Sequence, residues 1–141
     1  MSATSPSPAA PIVVADTSEA FQALQAPLAR VFALAHAATC EQARALVQPM
    51  TPLVLCGVHF DEGRLYDLLR SLKATPTLAQ VPFVVTRIGP GELDEGIYDS
   101  VKVATSALGG NGFIDFFRWQ AQYGPAGAAR RLLERVRALV D

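Results

Sequence analysis

The sequence predicts an α/β fold built on a five-stranded parallel sheet with helices on both faces. Three observations carry that expectation. Short apolar runs rich in β-branched residues alternate with amphipathic segments along the chain. The runs are continuously apolar, as strands buried on both faces require. Turn formers and helix caps stand at most of the boundaries between them.

The first strand is "IVVA", Ile12–Ala15, and Asp16-Thr17-Ser18 offers N-cap material for a helix running towards Gln25. Pro27 should end or kink that helix. "RVFALAHA", Arg30–Ala37, reads as the second strand, because Thr39 with Gln42 makes a capping box that opens a fresh helix. That helix, "CEQARALVQ", stops before Pro49. The third strand is Leu53–Cys56, inside "PLVLCGVHFDEG". Leu65, Leu68, Leu69 and Leu72 then fall at i, i+3, i+4 and i+7, the stripe of an amphipathic helix. "VPFVVTRI", Val81–Ile88, is the fourth strand, with Pro82 at its start. After "GPG", Leu93, Ile97, Val101, Ala104 and Leu108 mark a fourth helix that ends at "GGNG". "FIDFF", Phe113–Phe117, is the fifth strand. A last helix from about Pro125 buries Leu132, Leu133, Val136 and Val140 and shows its arginines to water. Right-handed crossovers leave few topologies for such a chain. The flavodoxin-like order 2-1-3-4-5, a three-layer sandwich with about five helices, is the natural one.

Composition narrows the function classes. Of the 141 residues, 50% are hydrophobic and 18% charged, which suits a single domain over residues 11–141. Residues 1–10, neutral and rich in Ser, Pro and Ala, read as a disordered tail and not as a targeting segment. A formal net charge of -1 gives no bulk attraction to nucleic acid or anionic lipid. No apolar run approaches the ~20 residues that span a bilayer. No basic recognition helix suggests direct DNA binding, and neither glycine cluster has the spacing of a phosphate loop. The ten arginines against two lysines, with many alanines, suit a GC-rich bacterial genome.

Cys40 and Cys56, in apolar or helix-like context, read as reduced thiols of a cytoplasmic protein. Cys56 and His59 stand three apart at a strand end, so extended geometry points them to opposite faces. No second Cys/His pair completes a tetrahedral metal site. Cys56 therefore reads as a small buried hydrophobe, and no base is placed beside it for nucleophilic catalysis. His36 and His59 could share one rim and offer a pH-sensitive contact. The expectation is no catalytic residue, no metal and no enzyme.

Leu65–Ile88, "LYDLLRSLKATPTLAQVPFVVTRI", joins a helix, a polar turn with an x-P-x-L-A pattern and a Pro-led strand. With "GFIDFF" and "IVVADTSEA", it resembles a response-regulator receiver domain, of CheY-like fold, from roughly Ile12 to Val140. In receivers an Asp ending the third strand accepts a phosphoryl group, while two acids after the first strand help hold Mg²⁺. A Ser/Thr after the fourth strand and a Lys after the fifth read the phosphate. Here the phosphoacceptor position falls at Gly57, or at Cys56 if the register slips by one. The acidic pair is reduced to Asp16. The hydroxyl position falls at Thr86 or Arg87, with Arg87 preferred, and the Lys position falls at Trp119.

The resemblance thus implies a degenerate pseudo-receiver that works without Mg²⁺ or any other cofactor. Its vestigial corner is Asp16, Cys56, Gly57, Asp61, Thr86, Arg87 and Trp119. Asp61 and Glu62 read as dipole-complementing residues in the first turn of the Leu65 helix, with Asp61 as a displaced phosphoacceptor as the alternative. A further alternative is a small-molecule site near Gly57, Arg87 and Trp119, with Arg87 meeting an anion. The implied role is a stand-alone protein–protein interaction module in bacterial two-component signal transduction, with a histidine kinase or another signalling protein as partner. A homodimer is expected through Glu92, Asp94, Glu95 and Asp99 on one helix and Arg130, Arg131, Arg135 and Arg137 on another, paired reciprocally. Arg118 and Trp119 adjoin that surface, and the cluster Phe113, Phe116, Phe117 and Trp119 divides between core and interface.

Overall fold

The computed structural model describes residues 10–89 and 95–140, so nearly all of the expected tail lies outside the described residues. Strands β1 (Ile12–Ala15), β2 (Leu34–Ala37), β3 (Val54–Gly57), β4 (Phe83–Arg87) and β5 (Gly112–Asp115) form a parallel sheet in the order β2-β1-β3-β4-β5. Helices α1 (Ser18–Leu28), α2 (Cys40–Leu46), α3 (Leu65–Ala74), α4 (Glu95–Ala107) and α5 (Phe116–Val140) cover its two faces. This is the expected flavodoxin-like sandwich.

Successive side chains of a strand point to opposite faces, and the apolar runs feed two cores at once. Ile12 and Val14 of β1 join Leu24 and Leu28 of α1 and Leu132 and Val136 of α5. Val13 and Ala15 join Cys40 and Ala43 of α2 and the four leucines of α3. All four β1 residues are fully buried, which is why the run shows no polar alternation. Each buried leucine of the α3 stripe contributes roughly 1.5–3 kcal/mol, enough to hold that helix on the sheet.

Two threonines cap the first two helices, Thr17 taking the place that the Asp16-Thr17-Ser18 stretch left open. Thr17 Oγ1 accepts the Ala20 N–H at 3.1 Å, and Thr39 Oγ1 accepts the Gln42 N–H at 3.1 Å. Gln42 Oε1 accepts from the N–H of Ala38 at 2.8 Å, one residue before the cap itself.

Several boundaries differ from expectation. The second strand begins only at Leu34. The N–H groups of Val31 and Phe32 instead bond the Leu28 carbonyl, closing the end of α1, which runs one residue past Pro27. β3 lies one residue later than expected, and β4 is trimmed to Phe83–Arg87 with Pro82 just before it. Leu93, assigned to the fourth helix, lies outside the described residues. The largest difference is at the fifth strand. Phe116 and Phe117 are helical, because Asp115 Oδ1 accepts the Arg118 N–H at 3.0 Å and caps a helix there. The helix from Pro125 is thus preceded by another turn of structure from Phe116. The break between them is Gly124, whose φ of 73° suits glycine, with Pro125 well placed to restart the helix.

Candidate functional site

The carboxyl ends of β1, β3 and β4 border a cleft of about 150 Å³, lined by Asp16, Thr17, Val58, His59, Thr86 and Arg87 among others. In doubly wound sheets this is where ligands and chemistry are placed.

Gly57 ends β3, level with Thr86 of β4. A Cβ built on Gly57 would collide with the carboxyl group of Asp16. The acid that follows β1 therefore occupies the space a β3 side chain would need. Of the two register choices at the phosphoacceptor position, Gly57 is the residue at the corner. Cys56 turns into the core beneath α2 and α3. Burial, then Asp16 and Cys40, push the Cys56 thiol well above its usual range. It belongs to the packing and not to the corner.

Asp16 is fixed by its own backbone surroundings. Its Oδ1 accepts the Thr17 N–H at 2.8 Å, and its carbonyl accepts from His36 Nε2 at 2.7 Å. The His36 ring stacks on Phe21 at 4.8 Å. Burial raises the Asp16 pKa, against the lowering effects of the Thr17 N–H and of nearby His36 and His59. The two histidines do flank one site. A raised carboxyl pKa means that folding disfavours the charged form, so this contribution weakens stability above the folded-state pKa and is relieved as pH falls through it. Asp16→Asn is therefore expected to raise Tm slightly at pH 7.5, with the gain shrinking towards pH 4 in a series of thermal melts.

Thr86 and Arg87, neighbours at the end of β4, face opposite sides of the sheet. Thr86 shares Gly57's level and faces the cleft, while Arg87 pairs with Asp115 and points to the α4 side of the sheet. Both candidates for the hydroxyl position, Thr86 and the preferred Arg87, border the cleft. The Arg87 guanidinium lies 3.3 Å from Asp115 Oδ2, 4.1 Å from the Tyr98 ring centre and 4.8 Å from that of Phe117. Both charged side chains are nearly buried, at 10% and 12% exposure. An arginine engaged by a carboxylate and two rings is a structural clamp.

Trp119 is absent from the corner. Because the helix begins at Phe116, residue 119 is carried along α5, where it packs on the α1–α5 core and shares a groove with Phe113, Arg131, Glu134 and Arg135. Asp61 and Glu62 are not in the first turn of α3. They sit in a left-handed turn with φ of 45° and 55°, and Asp61 Oδ2 accepts the Cys40 N–H at 2.9 Å. Asp61 therefore caps α2, and Arg64 ties the same turn to Glu41 at 2.8 Å. It does not line the cleft.

On the opposite flank, Arg118, Arg130, Arg131, Arg135 and Arg137 are exposed, with the Arg131 guanidinium 4.0 Å from the Tyr123 ring centre. Asp99 is exposed on α4, 3.6 Å from its own Lys102. Glu92 and Asp94 lie outside the described residues, and Glu95 opens α4. Of the aromatic cluster, Phe116 is buried, while Phe113, Phe117 and Trp119 are partly exposed.

Sequence reasoning missed Asp115 and Tyr98. The first carried a signal: an Asp standing before "FFRWQAQY" is good N-cap chemistry. Tyr98 gave none, since only the fold brings it beside Arg87.

The donor set does not fit a Mg²⁺ site built on paired acids. Among the described residues Asp16 is the single carboxylate lining the cleft, Gly57 offers no side chain, and no group of three His, Cys, Asp or Glu converges. Mg²⁺ demands near-octahedral oxygen ligation. Among the described residues, no helix is long and apolar enough to cross a membrane.

No protein-family profile and no curated protein matches the chain. Solved structures do. A protein designated a response regulator, from Chloroflexus aurantiacus J-10-fl, superposes with a TM-score of 0.67 at 18% identity, covering 95% of this chain and 98% of its own. The signal receiver domain of a signal transduction histidine kinase from Syntrophus aciditrophicus gives 0.62 at 22% identity, covering 92% and 87%. The chemotaxis response regulator CheY4 of Vibrio cholerae gives 0.62 at 14% identity, covering 89% and 95%. The fold is that of receiver domains. At these identities the likeness speaks for the fold alone.

Proposed function

We propose that this protein is a receiver-like signalling module that acts through protein contacts without accepting a phosphoryl group. The observation that supports it most is the Asp16 carboxyl group standing where a side chain on Gly57 would be. Among the described residues the corner thus has one acid, set at the end of β1, and no acyl-phosphate acceptor at the end of β3. Without that acceptor the module has no phosphoryl chemistry, and it is not an enzyme. Intact-protein mass after incubation with Mg²⁺ and a small acyl-phosphate donor tests this, beside a conventional receiver. The expected result is no adduct. A stoichiometric, base-labile adduct abolished by Asp61→Asn would replace this reading with a displaced acceptor.

The clamp on Arg87 bears on the same reading. It ties β4 to α4 through Tyr98 and to the start of α5 through Asp115 and Phe117. A face held by a built-in cation needs no phosphate to set its conformation. The partner surface is the one formed by α4, β5 and α5, and the partner is a histidine kinase or another signalling protein of a bacterial two-component pathway. The same face forms a homodimer. Exposed arginines on α5 meet the acidic start of α4 of a second copy, reciprocally under two-fold symmetry. Replacing both Arg131 and Arg135 by Glu is expected to weaken the dimer at least tenfold in sedimentation experiments. An unchanged dimer would remove the charge pairing. Two free, buried cysteines agree with a cytoplasmic setting.

A further inference from the structure

A partly buried carboxylate is stabilised by a proton or by a cation. Among the described residues neither lysine nor arginine forms an ion pair with Asp16. Arg87 borders the cleft, but its guanidinium is held by Asp115 and two rings on the other side of the sheet. Thr86, only 1% exposed, lines the cleft, and its Oγ1 has no hydrogen-bond partner among the described residues. A carboxylate with no lysine or arginine partner among the described residues, only His36 and His59 nearby, and a buried hydroxyl without a partner thus share one opening of about 150 Å³.

We propose that this cleft binds a monovalent organic cation, a primary ammonium or guanidinium head, with Asp16 as counter-charge and Thr86 Oγ1 as hydrogen-bond acceptor. The inference goes beyond the interaction surface described above and does not depend on it. Size agrees, since a water molecule takes about 30 Å³ of liquid, so the cleft has room for one such head in place of a few waters. Charge agrees too. Asp16 repels an anion, and the nearest guanidinium is already engaged by Asp115. The one carboxylate that the described residues place there favours a monocation over Mg²⁺, which needs several oxygens and loses its own water reluctantly. A guanidinium is weakly hydrated and presents donors in a plane, which suits one carboxylate and one hydroxyl. Ala20, Val58 and Ile88 supply apolar wall for the methylenes behind the head.

The head could belong to a free amine or to a partner's Arg or Lys side chain, and the test separates these. Amide shifts of isotope-labelled protein would be followed at pH 7.5 against methylguanidinium chloride and methylammonium chloride, with KCl at equal ionic strength and MgCl₂ as comparisons. The expected result is saturable shifts at Thr17, Val58, His59 and Thr86 with the organic cations, lost in Asp16→Asn. Thr86→Val should weaken binding several-fold, as loss of one hydrogen bond does. An end-blocked Gly-Arg-Gly peptide that binds more tightly than methylguanidinium would assign the head to a protein side chain, and equal binding to a free small cation. Shifts that match KCl, persist in Asp16→Asn, or saturate only with Mg²⁺ would overturn the proposal.

Discussion

Arg87→Met is expected to lower stability by about 3–5 kcal/mol, the usual cost of removing one partner from a buried ion pair. The Asp115 carboxylate, 12% exposed, would lose the guanidinium 3.3 Å away. Tyr98 and Phe117 would lose the cation stacked on them at 4.1 and 4.8 Å. Methionine fills similar space, so the loss reports charge and hydrogen bonding more than a cavity. For a domain of this size that corresponds to a fall in Tm of roughly 10–20 °C. Arg87→Lys should recover little, since an ammonium cannot stack on two rings while also meeting the carboxylate in a plane. Asp115→Asn should cost less, because Arg87 keeps its rings and the amide oxygen still caps α5. Denaturant unfolding of the three variants and the Arg87→Met/Asp115→Asn double variant closes the cycle. A loss below about 1 kcal/mol for Arg87→Met would show the pair to behave as an ordinary surface ion pair.

Most of the fold was legible because period and capping are local properties. The α3 leucines at i, i+3, i+4 and i+7 specify a helix with one buried face, and all four are buried. The continuous run of β1 specifies a strand covered on both sides, and both cores use it. Topology followed from alternation and handedness. Boundaries failed where two local signals competed. "RVFALAHA" is apolar enough for a strand throughout, but the end of α1 takes its first residues. "FIDFF" is aromatic enough for a strand, but Asp115 caps a helix two residues early. That slip displaced the candidate site, since placing Trp119 at the corner assumed a strand reaching it. Gly57 and Asp16 were both legible as corner residues, yet their mutual exclusion was not. It depends on two strands brought side by side, with Ala15 paired to Cys56. The pairing of Arg87 with Tyr98, eleven residues away across residues 90–94, likewise belongs to the tertiary structure alone.

Gly57→Asp, which returns an acid to the end of β3, is expected to cost about 3 kcal/mol at pH 7.5 and to leave the protein without a phosphoacceptor. The new Cβ collides with the Asp16 carboxyl group. The Asp16 carboxyl group has to rotate away to clear it, and it then gives up the Thr17 N–H at 2.8 Å, a bond worth about 1 kcal/mol. Electrostatic repulsion costs more. Two carboxylates roughly 4 Å apart repel by about 4 kcal/mol at an effective dielectric of 20, and taking up one proton avoids part of that. The pair therefore titrates with one pKa raised above its unfolded value. Its cost is present above that folded-state pKa and fades as pH falls through it towards the unfolded value, so the deficit should narrow by pH 4.5. Gly57→Ala isolates the steric part. Gly57→Asp with Asp16→Ala should recover most of the loss, because the single remaining acid then has the space to itself. Denaturant unfolding at both pH values reads all three variants. A Gly57→Asp protein as stable as the parent at pH 7.5, and able to take up a phosphoryl group, would mean that the corner kept room for an acceptor. The loss of phosphoryl chemistry would then be a matter of one side chain alone. The destabilisation expected here would instead mean that the first-strand acid has settled into that place, so that regaining phosphoryl chemistry takes at least two changes.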